Sequence, residues 1–391
     1  MRTIKSIFRI VLKVLKWGFL SFVALAIVSV LYNFTLPTES KVKEKLTQNQ
    51  KAYISEAMNL QQKIGNEVWP GWGNLQIPVI IYNEKYAFLI GYPNPPAGWI
   101  KMPKGELRGT EWEVVKNDSF GEAPYYRQLL PNPDRTPECF TVQVGERWVA
   151  SMQTKEYAAV TFYKNFRNEL PPVLNSIFPY TIFWQFLMGS TENYIAGLEH
   201  EAFHAFQGTL VPQRLAEAES PPFSKEYPWE KSANGWNEEI SLLMEAFNTE
   251  SNGAASKLMA QFLAKRSERR EKSNLTDEMI RYEQKREWLE GLAKYAEIKI
   301  GVMASENQSY KPVKEIETVP GFKNYKTRIS NFNRQIEDVE RIGNRPAEAR
   351  FYYTGMLQAV MLDRLMPEWK KEAFKEGVYL ENMLEMAVEL K

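Results

Sequence analysis

NYIAGLEHEAFHAFQG, residues 193–208, holds both histidines of the 391-residue chain, as His200-Glu201-Ala202-Phe203-His204. On a helix turning about 100° per residue, Asn193, Gly197, His204 and Gly208 fall within about 80° of His200 on one side, with Glu201 at about 100°. Ile195, Leu198, Ala202, Ala205 and Phe206 lie opposite and form an apolar stripe for a core. The stretch therefore reads as a helix laid on a core, with its histidines facing a cleft. Gly197 and Gly208 flank the histidine face, where missing side chains leave room for a substrate; Gly208 also suits a helix cap. Two histidines four apart, with a glutamate after the first, is the spacing that ligates zinc from one helix face and places a general base beside it. A catalytic zinc site takes three protein ligands, so a third is needed. No histidine is left to supply it, and Leu210 stands where a three-histidine arrangement would place the last one.

Outward from this helix the pattern divides the chain. Residues 74–165 contain the short apolar runs IPVIIY, YAFLIGY, CFTVQV and RWVASM between Pro, Gly and Asn clusters, and predict a small sheet. Val144-Gly145-Glu146-Arg147 is the turn of a hairpin within it. Residues 166–391 are dominated by helical patterns, over 235–270, 276–300, 325–342 and 347–365. The fold class is α+β and mainly helical, with the sheet preceding the helical region. Residues 37–73 read as a helical stalk and linker, broken by Trp69-Pro70-Gly71-Trp72-Gly73. The apolar run Ile177–Met188 is too short to cross a bilayer; it reads as core, with a cleft lining or a membrane-facing patch as the other readings. The mixed-charge run Lys265–Lys272 reads as a solvated helix face.

The N-terminus is organised differently. Residues 1–16 form a basic tail carrying Arg2, Lys5, Arg9, Lys13 and Lys16 with no acid, and residues 17–36 are uncharged and mostly apolar. Such a run is long enough for a transmembrane signal anchor, and cations ahead of it predict a cytoplasmic N-terminus with the remainder outside the cytoplasm. A cleaved signal peptide is the rival reading, because Ala24-Leu25-Ala26 has the small-residue pattern of a cleavage site, but that pattern falls in mid-span. The whole chain carries 49 basic and 48 acidic residues, a balance that argues against a nucleic-acid partner held by bulk charge. Cys139 is the sole cysteine and can form no intramolecular disulfide; it reads as an inert buried thiol.

The third ligand is sought near Trp288-Leu289-Glu290-Gly291-Leu292-Ala293-Lys294-Tyr295. Gly291 inside a helix costs about 1 kcal/mol relative to alanine, and close approach of another helix is a physical reason for it. Here the chain resembles the gluzincin metallopeptidases, in which a Glu-Gly-x-Ala-x-Tyr segment downstream of His-Glu-x-x-His supplies a glutamate ligand. The resemblance implies a zincin-like catalytic domain, one Zn2+ held by His200, His204 and Glu290, and Glu201 as the base. The interval from His204 to Glu290 is longer than in the best-known members. Asn237-Glu238-Glu239-Ile240-Ser241 resembles a second ligand segment of the same clan and nominates Glu238 or Glu239 instead. A donor for the oxyanion is sought among Tyr295, Arg350, Tyr352 and Tyr353, with Tyr353 and Tyr295 put forward. The implied activity is hydrolysis of a peptide or protein substrate, with a sheet edge available to pair with an extended peptide. The absence of the aminopeptidase branch's Gly-x-Met-x-Asn signature tilts this towards an endopeptidase. The other reading is a membrane-anchored binding or scaffold protein that keeps the fold without turnover. No partner protein is readable, and the lipid bilayer is contacted through residues 17–36.

Overall fold

Ser190 accepts a hydrogen bond from the Asn193 backbone N–H and so caps the helix Thr191–Leu210, around which the rest is arranged. The computed structural model describes residues 2–101, 105–130, 137, 140–187, 190–219 and 226–389; Cys139 and Met188 lie outside the described residues. Helices α1 (Arg2–Asn33) and α2 (Gln48–Val68) precede seven strands. These are β1 (Val79–Tyr82), β2 (Tyr86–Ile90), β3 (Ile100–Lys101), β4 (Glu113–Val114), β5 (Tyr126–Leu129), β6 (Phe140–Val144) and β7 (Arg147–Gln153). Helices α3 (Lys155–Glu169), α4 (Pro172–Ile177), α5 (Tyr180–Leu187), α6 (Thr191–Leu210), α7 (Pro212–Glu219) and α8 (Trp229–Ser232) follow. Then come α9 (Trp236–Asn248), α10 (Asn252–Lys272), α11 (Asp277–Arg286), α12 (Leu292–Glu306), α13 (Lys314–Glu317), α14 (Arg328–Gly343), α15 (Ala349–Leu365) and α16 (Leu380–Glu389).

The strands form one sheet in the order β3-β6-β7-β1-β2-β5-β4, with β1 and β7 parallel and the other pairs antiparallel. The β6–β7 hairpin closes at Gly145, whose φ of 57° needs a residue without a side-chain penalty. Alternate residues divide between two buried faces. Val79, Ile81, Phe88, Ala150 and Met152 join the main core with α2 and α6, while Ile80, Tyr82, Leu89 and Val149 pack with Trp99 and Trp112 on the other side. Burial on both faces explains why β1 and β2 read as continuous apolar runs rather than alternating ones.

The predicted stripe of α6 lies in the main core: Ile195, Leu198, Ala202, Ala205 and Phe206 are all buried there. α6 is nevertheless covered on nearly every side. Gly208 leaves no room for a substrate, because a Cβ there would come within 2.5 Å of the Trp148 ring. Nor does it cap the helix, which runs on to Leu210.

Two further expectations are corrected by burial. α2 is no stalk, since Ile54, Leu60, Ile64, Trp69 and Trp72 lie in the main core and join residues from before the sheet to the helices after it. Its polar character had hidden this: buried Glu56 accepts from Tyr310, Tyr325 and the Val313 N–H, more than 250 residues away. Lys265–Lys272 is no uniformly solvated face either, because Arg266, Arg269 and Arg270 are buried in ion pairs.

α5 packs its Tyr180 and Trp184 with Tyr163 into a small aromatic cluster apart from the main core, with Leu36 against it. Asn33, the last residue of α1, donates to the Ser176 and Phe178 carbonyls there. Lys13–Asn33 is long and apolar enough to span a membrane, with a mean hydropathy of 2.2. Its Trp17, Phe19, Phe22 and Leu25 are 60–67% exposed, so nothing else in the described chain covers them.

Candidate metal centre

His200 and His204 stand one turn apart on α6, and Glu290 comes from a neighbouring helix at an irregular turn. α11 and α12 are joined by a π-helical turn, Glu287–Gly291, of the kind that recurs at functional sites. α15 presses against this turn. A Cβ on Gly291 would lie 2.5 Å from Gly355 Cα, and one on Gly355 would lie 2.5 Å from the Glu287 carbonyl oxygen. The close helix approach expected at Gly291 is therefore present, with α15 as the partner.

The Nε2 atoms of His200 and His204 are 3.1 Å apart, and Glu290 Oε2 lies 3.4 and 3.3 Å from them. A tetrahedral ion with ligands at about 2.0–2.1 Å has donor–donor edges of about 3.3 Å. The observed triangle has that size.

The protons are assigned by the surrounding network. Gln207 must donate through its amide nitrogen to the Trp288 carbonyl, at 3.1 Å, so its oxygen accepts from His204 Nδ1–H at 2.8 Å. His200 Nδ1–H likewise donates to Glu297 at 3.2 Å. With both Nδ1 atoms engaged outward, the two Nε2 atoms face the same point, and outer partners of this kind fix the ring orientation of metal-bound histidines. Glu290 Oε1 accepts from Arg286 at 2.8 Å, whereas Oε2 is buried without a hydrogen-bond partner. The three buried ligand atoms converge on one point, and His200, His204 and Glu290 could together hold a metal ion. Two nitrogens in the set argue against a hard cation such as calcium, which takes six or more oxygens.

The electrostatics agree. Burial works to keep His200 neutral, yet the carboxylates of Glu290 and Glu297 outweigh it and push its pKa up to about 10. Burial opposes the charge on Glu290 as well, but the two histidines and Arg286 hold it well below the usual carboxylate range. Burial also opposes ionisation of Glu297, and Lys294 with His200 brings it down to about 2. The pocket is built to retain positive charge.

A cleft of about 470 Å³ opens beside His200 and is lined by Glu201, Asn193, Gly197, Lys294, Tyr352 and Tyr353 among others. Glu201 is half-buried there, and its Oε2 has no hydrogen-bond partner. Burial, reinforced by Glu290 and Glu297, raises its pKa above the ordinary value against the pull of both histidines. Tyr353 reaches the cleft, with Lys294 Nζ 5.6 Å from its ring centre. Tyr352 is closer to the cluster, stacked on His200 at 5.8 Å and 7°. Burial and then the Glu290 carboxylate raise its hydroxyl pKa, which keeps it a proton donor.

Other sequence candidates fall elsewhere. Tyr295 is turned away: five positions after Glu290 is about 140° round an α-helix, and its hydroxyl donates to Asp363 at 2.9 Å. Arg350 lies 3.9 Å from the Trp236 ring and donates to the Gly343 carbonyl. Glu238 is exposed and paired with Lys265 at 2.9 Å, while Glu239 is taken by Arg266 and Arg269. β7, whose Met152 reaches the cleft, is paired with β6 and β1, so it offers no free edge along its paired length.

Sequence reasoning missed Gln207, Glu297 and Arg286. Each stands three, seven or four positions from a ligand, spacings that return to the same helix face and were open to detection. The chain matches no family model, no curated protein and no solved structure.

Proposed function

We propose that this chain is a membrane-anchored zinc metallopeptidase that hydrolyses peptide bonds outside the cytoplasm. The observation that carries this reading is the His200–His204–Glu290 triangle, of tetrahedral size, with Glu201, whose Oε2 has no hydrogen-bond partner, lining the cleft beside it. Two imidazole nitrogens and one carboxylate form a donor set suited to zinc, and the resemblance to gluzincins points the same way. When bound, zinc supplies Lewis acidity towards a carbonyl and a lowered pKa for a coordinated water.

The remaining chemistry belongs to the chain. Glu201, made more basic than an ordinary carboxylate by burial, is suited to take a proton from an attacking water and return it to the leaving nitrogen. Tyr352 and Tyr353 are the cleft's hydroxyl donors for negative charge developing on the substrate oxygen. Glu297 and Gln207 keep both histidines in the Nδ1–H tautomer. The exposed apolar segment of α1 from Trp17 onward, with basic residues ahead of it in the same helix, supports a single-pass anchor with a cytoplasmic N-terminus.

Glu201→Gln separates binding from turnover. The variant is expected to keep its zinc while hydrolysis of a peptide mixture falls by about 10²- to 10⁴-fold. Unchanged hydrolysis in Glu201→Gln rejects the assigned base. Comparing peptides released by cells carrying the two forms would then identify the substrates.

A further inference from the structure

Arg328 opens α14 and lines the cleft beside Asn193 and Glu201, yet it is only 5% exposed. Its one side-chain hydrogen bond among the described residues runs from Nη1 to Asn193 Oδ1, at 3.2 Å. A guanidinium has five N–H donors, and burying one without a carboxylate is costly. Most of the other deeply buried arginines are matched by carboxylates. Arg266, Arg269, Arg270 and Arg286 meet glutamates; Arg350, whose Nη atoms also lack hydrogen-bond partners, lies on an indole and does not line the cleft. Glu297 and Glu192 act on Arg328 only through space, each being engaged by other groups. Burial accordingly drives its pKa below the ordinary value.

The fold makes room for this side chain at a further cost. Gly301 sits in the interior of α12, where glycine is about 1 kcal/mol worse than alanine, and a Cβ there would come within 2.5 Å of Arg328 Nε. Arg334, exposed on the same helix, adds a second positive charge at the cleft wall.

We infer that Arg328 is the centre of a carboxylate-binding subsite that selects substrates bearing an anionic group a few residues from the bond cut. This rests on the peptidase reading above. The distance follows from the helix. Asn193 precedes His200 by seven residues, about 10 Å along α6, which an extended peptide covers in about three residues. Such a carboxylate belongs either to an acidic side chain or to the peptide's own C-terminus, and both fit the planar fork of a guanidinium.

The test uses the full chain in detergent micelles, zinc-loaded, in the Glu201→Gln background so that peptides bind without being cut. Isothermal titration measures alanine- and phenylalanine-rich hexapeptides differing only in Glu against Gln at one position, each with a free or amidated C-terminus. The subsite predicts that one of the two carboxylates improves binding by about 10- to 100-fold over its neutral counterpart. A Glu/Gln preference identifies the side chain, and a free/amide preference the terminus. In Arg328→Gln that ratio should fall to about one, with binding of the neutral peptides unchanged.

Gly301→Ala, which crowds the guanidinium without removing it, should reduce the ratio in the same direction. It carries the test alone if Arg328→Gln does not fold, as judged by thermal melting and metal content. Equal binding of charged and neutral peptides, or a ratio that survives both substitutions, overturns the subsite. The two readings fail separately. Peptides cut by the wild-type chain without carboxylate preference reject the subsite alone, and an Arg328-dependent preference for peptides that the wild type never cuts rejects the peptidase alone.

Discussion

Glu283 and Glu287 lie within two helical turns of Glu290, and all three are buried, but their surroundings differ. Glu287 accepts two bonds from Arg266, at 2.7 and 2.8 Å, and one from Thr354 at 2.6 Å. Glu283 accepts from Arg269 at 2.9 and 3.0 Å and from Arg270 at 2.8 Å. With Glu239 and Glu381 these groups form a closed network in which the arginines use up the carboxylate oxygens. Glu290 has one arginine on one oxygen and leaves the other facing two imidazole Nε2 atoms. A buried carboxylate whose oxygens are all matched holds helices together, whereas Glu290 keeps one oxygen that could ligate a metal ion with the two histidines.

The sharpest way to break the comparison is to damage the closed network. Glu283→Ala removes the carboxylate that Arg269 and Arg270 share, leaving them only Glu239 and Glu381, and should cost about 3–5 kcal/mol by chemical denaturation, with metal content per folded chain unchanged. Metal loss at unchanged stability would show that the two regions are not separate in role.

The second test acts where they touch. Gly355→Ala would place a methyl against the Glu287 carbonyl and should cost about 1–3 kcal/mol. Because it displaces the π turn bearing Glu290, metal affinity should fall with stability, which competition with a chromophoric chelator would measure. Stability loss with unaltered affinity would mean that the turn does not position the ligand.

The third test is confined to the centre. Glu297→Ala and Gln207→Ala remove the partners that orient the histidines and should each weaken metal binding by about 10- to 100-fold. Metal-free stability should change far less than in Glu283→Ala.

A third way of burying a carboxyl refines the contrast. Glu199 is next to His200 in sequence but is buried with neither oxygen hydrogen-bonded, and burial, aided by Glu56, raises its pKa well above the ordinary value. Folded Glu199 keeps a proton that the unfolded chain gives up above its ordinary pKa of about 4.3. Its contribution is therefore fully present below that value and is lost as pH rises, with a slope of about 1.4 kcal/mol per pH unit. Glu199→Gln should flatten that slope in denaturation between pH 5 and 8. An unchanged slope would mean that Glu199 is ionised in the folded chain.

The parts of this arrangement that were legible in the sequence are those written in local periodicity. Residues 193–208 announced α6, its core stripe and its paired histidines, and the apolar runs announced β1, β2, β6 and β7. Glu290 was nominated by a short segment whose glycine marked a tight helix crossing. What could not be read was decided by partners distant in the chain. α2 resembled a stalk because its buried Gln50, Glu56 and Gln61 are polar, and the groups that satisfy the first two lie 144 and 269 residues away. The arginines of α10 resembled a solvated face because the glutamates that bury them come from α9, α11, the π turn and α16. Tyr295 was put forward as a donor although its helix position turns it towards Asp363. In each case pairing over distance, rather than residue type, decided what was inside.

The account stands most directly on the metal content of the full-length chain, purified without chelators and measured by elemental analysis beside Glu290→Gln. It predicts about one zinc per wild-type chain, and loss of that zinc in a variant that still melts cooperatively. A wild-type chain without stoichiometric metal, or a Glu290→Gln chain that retains it in full, would contradict the central claim.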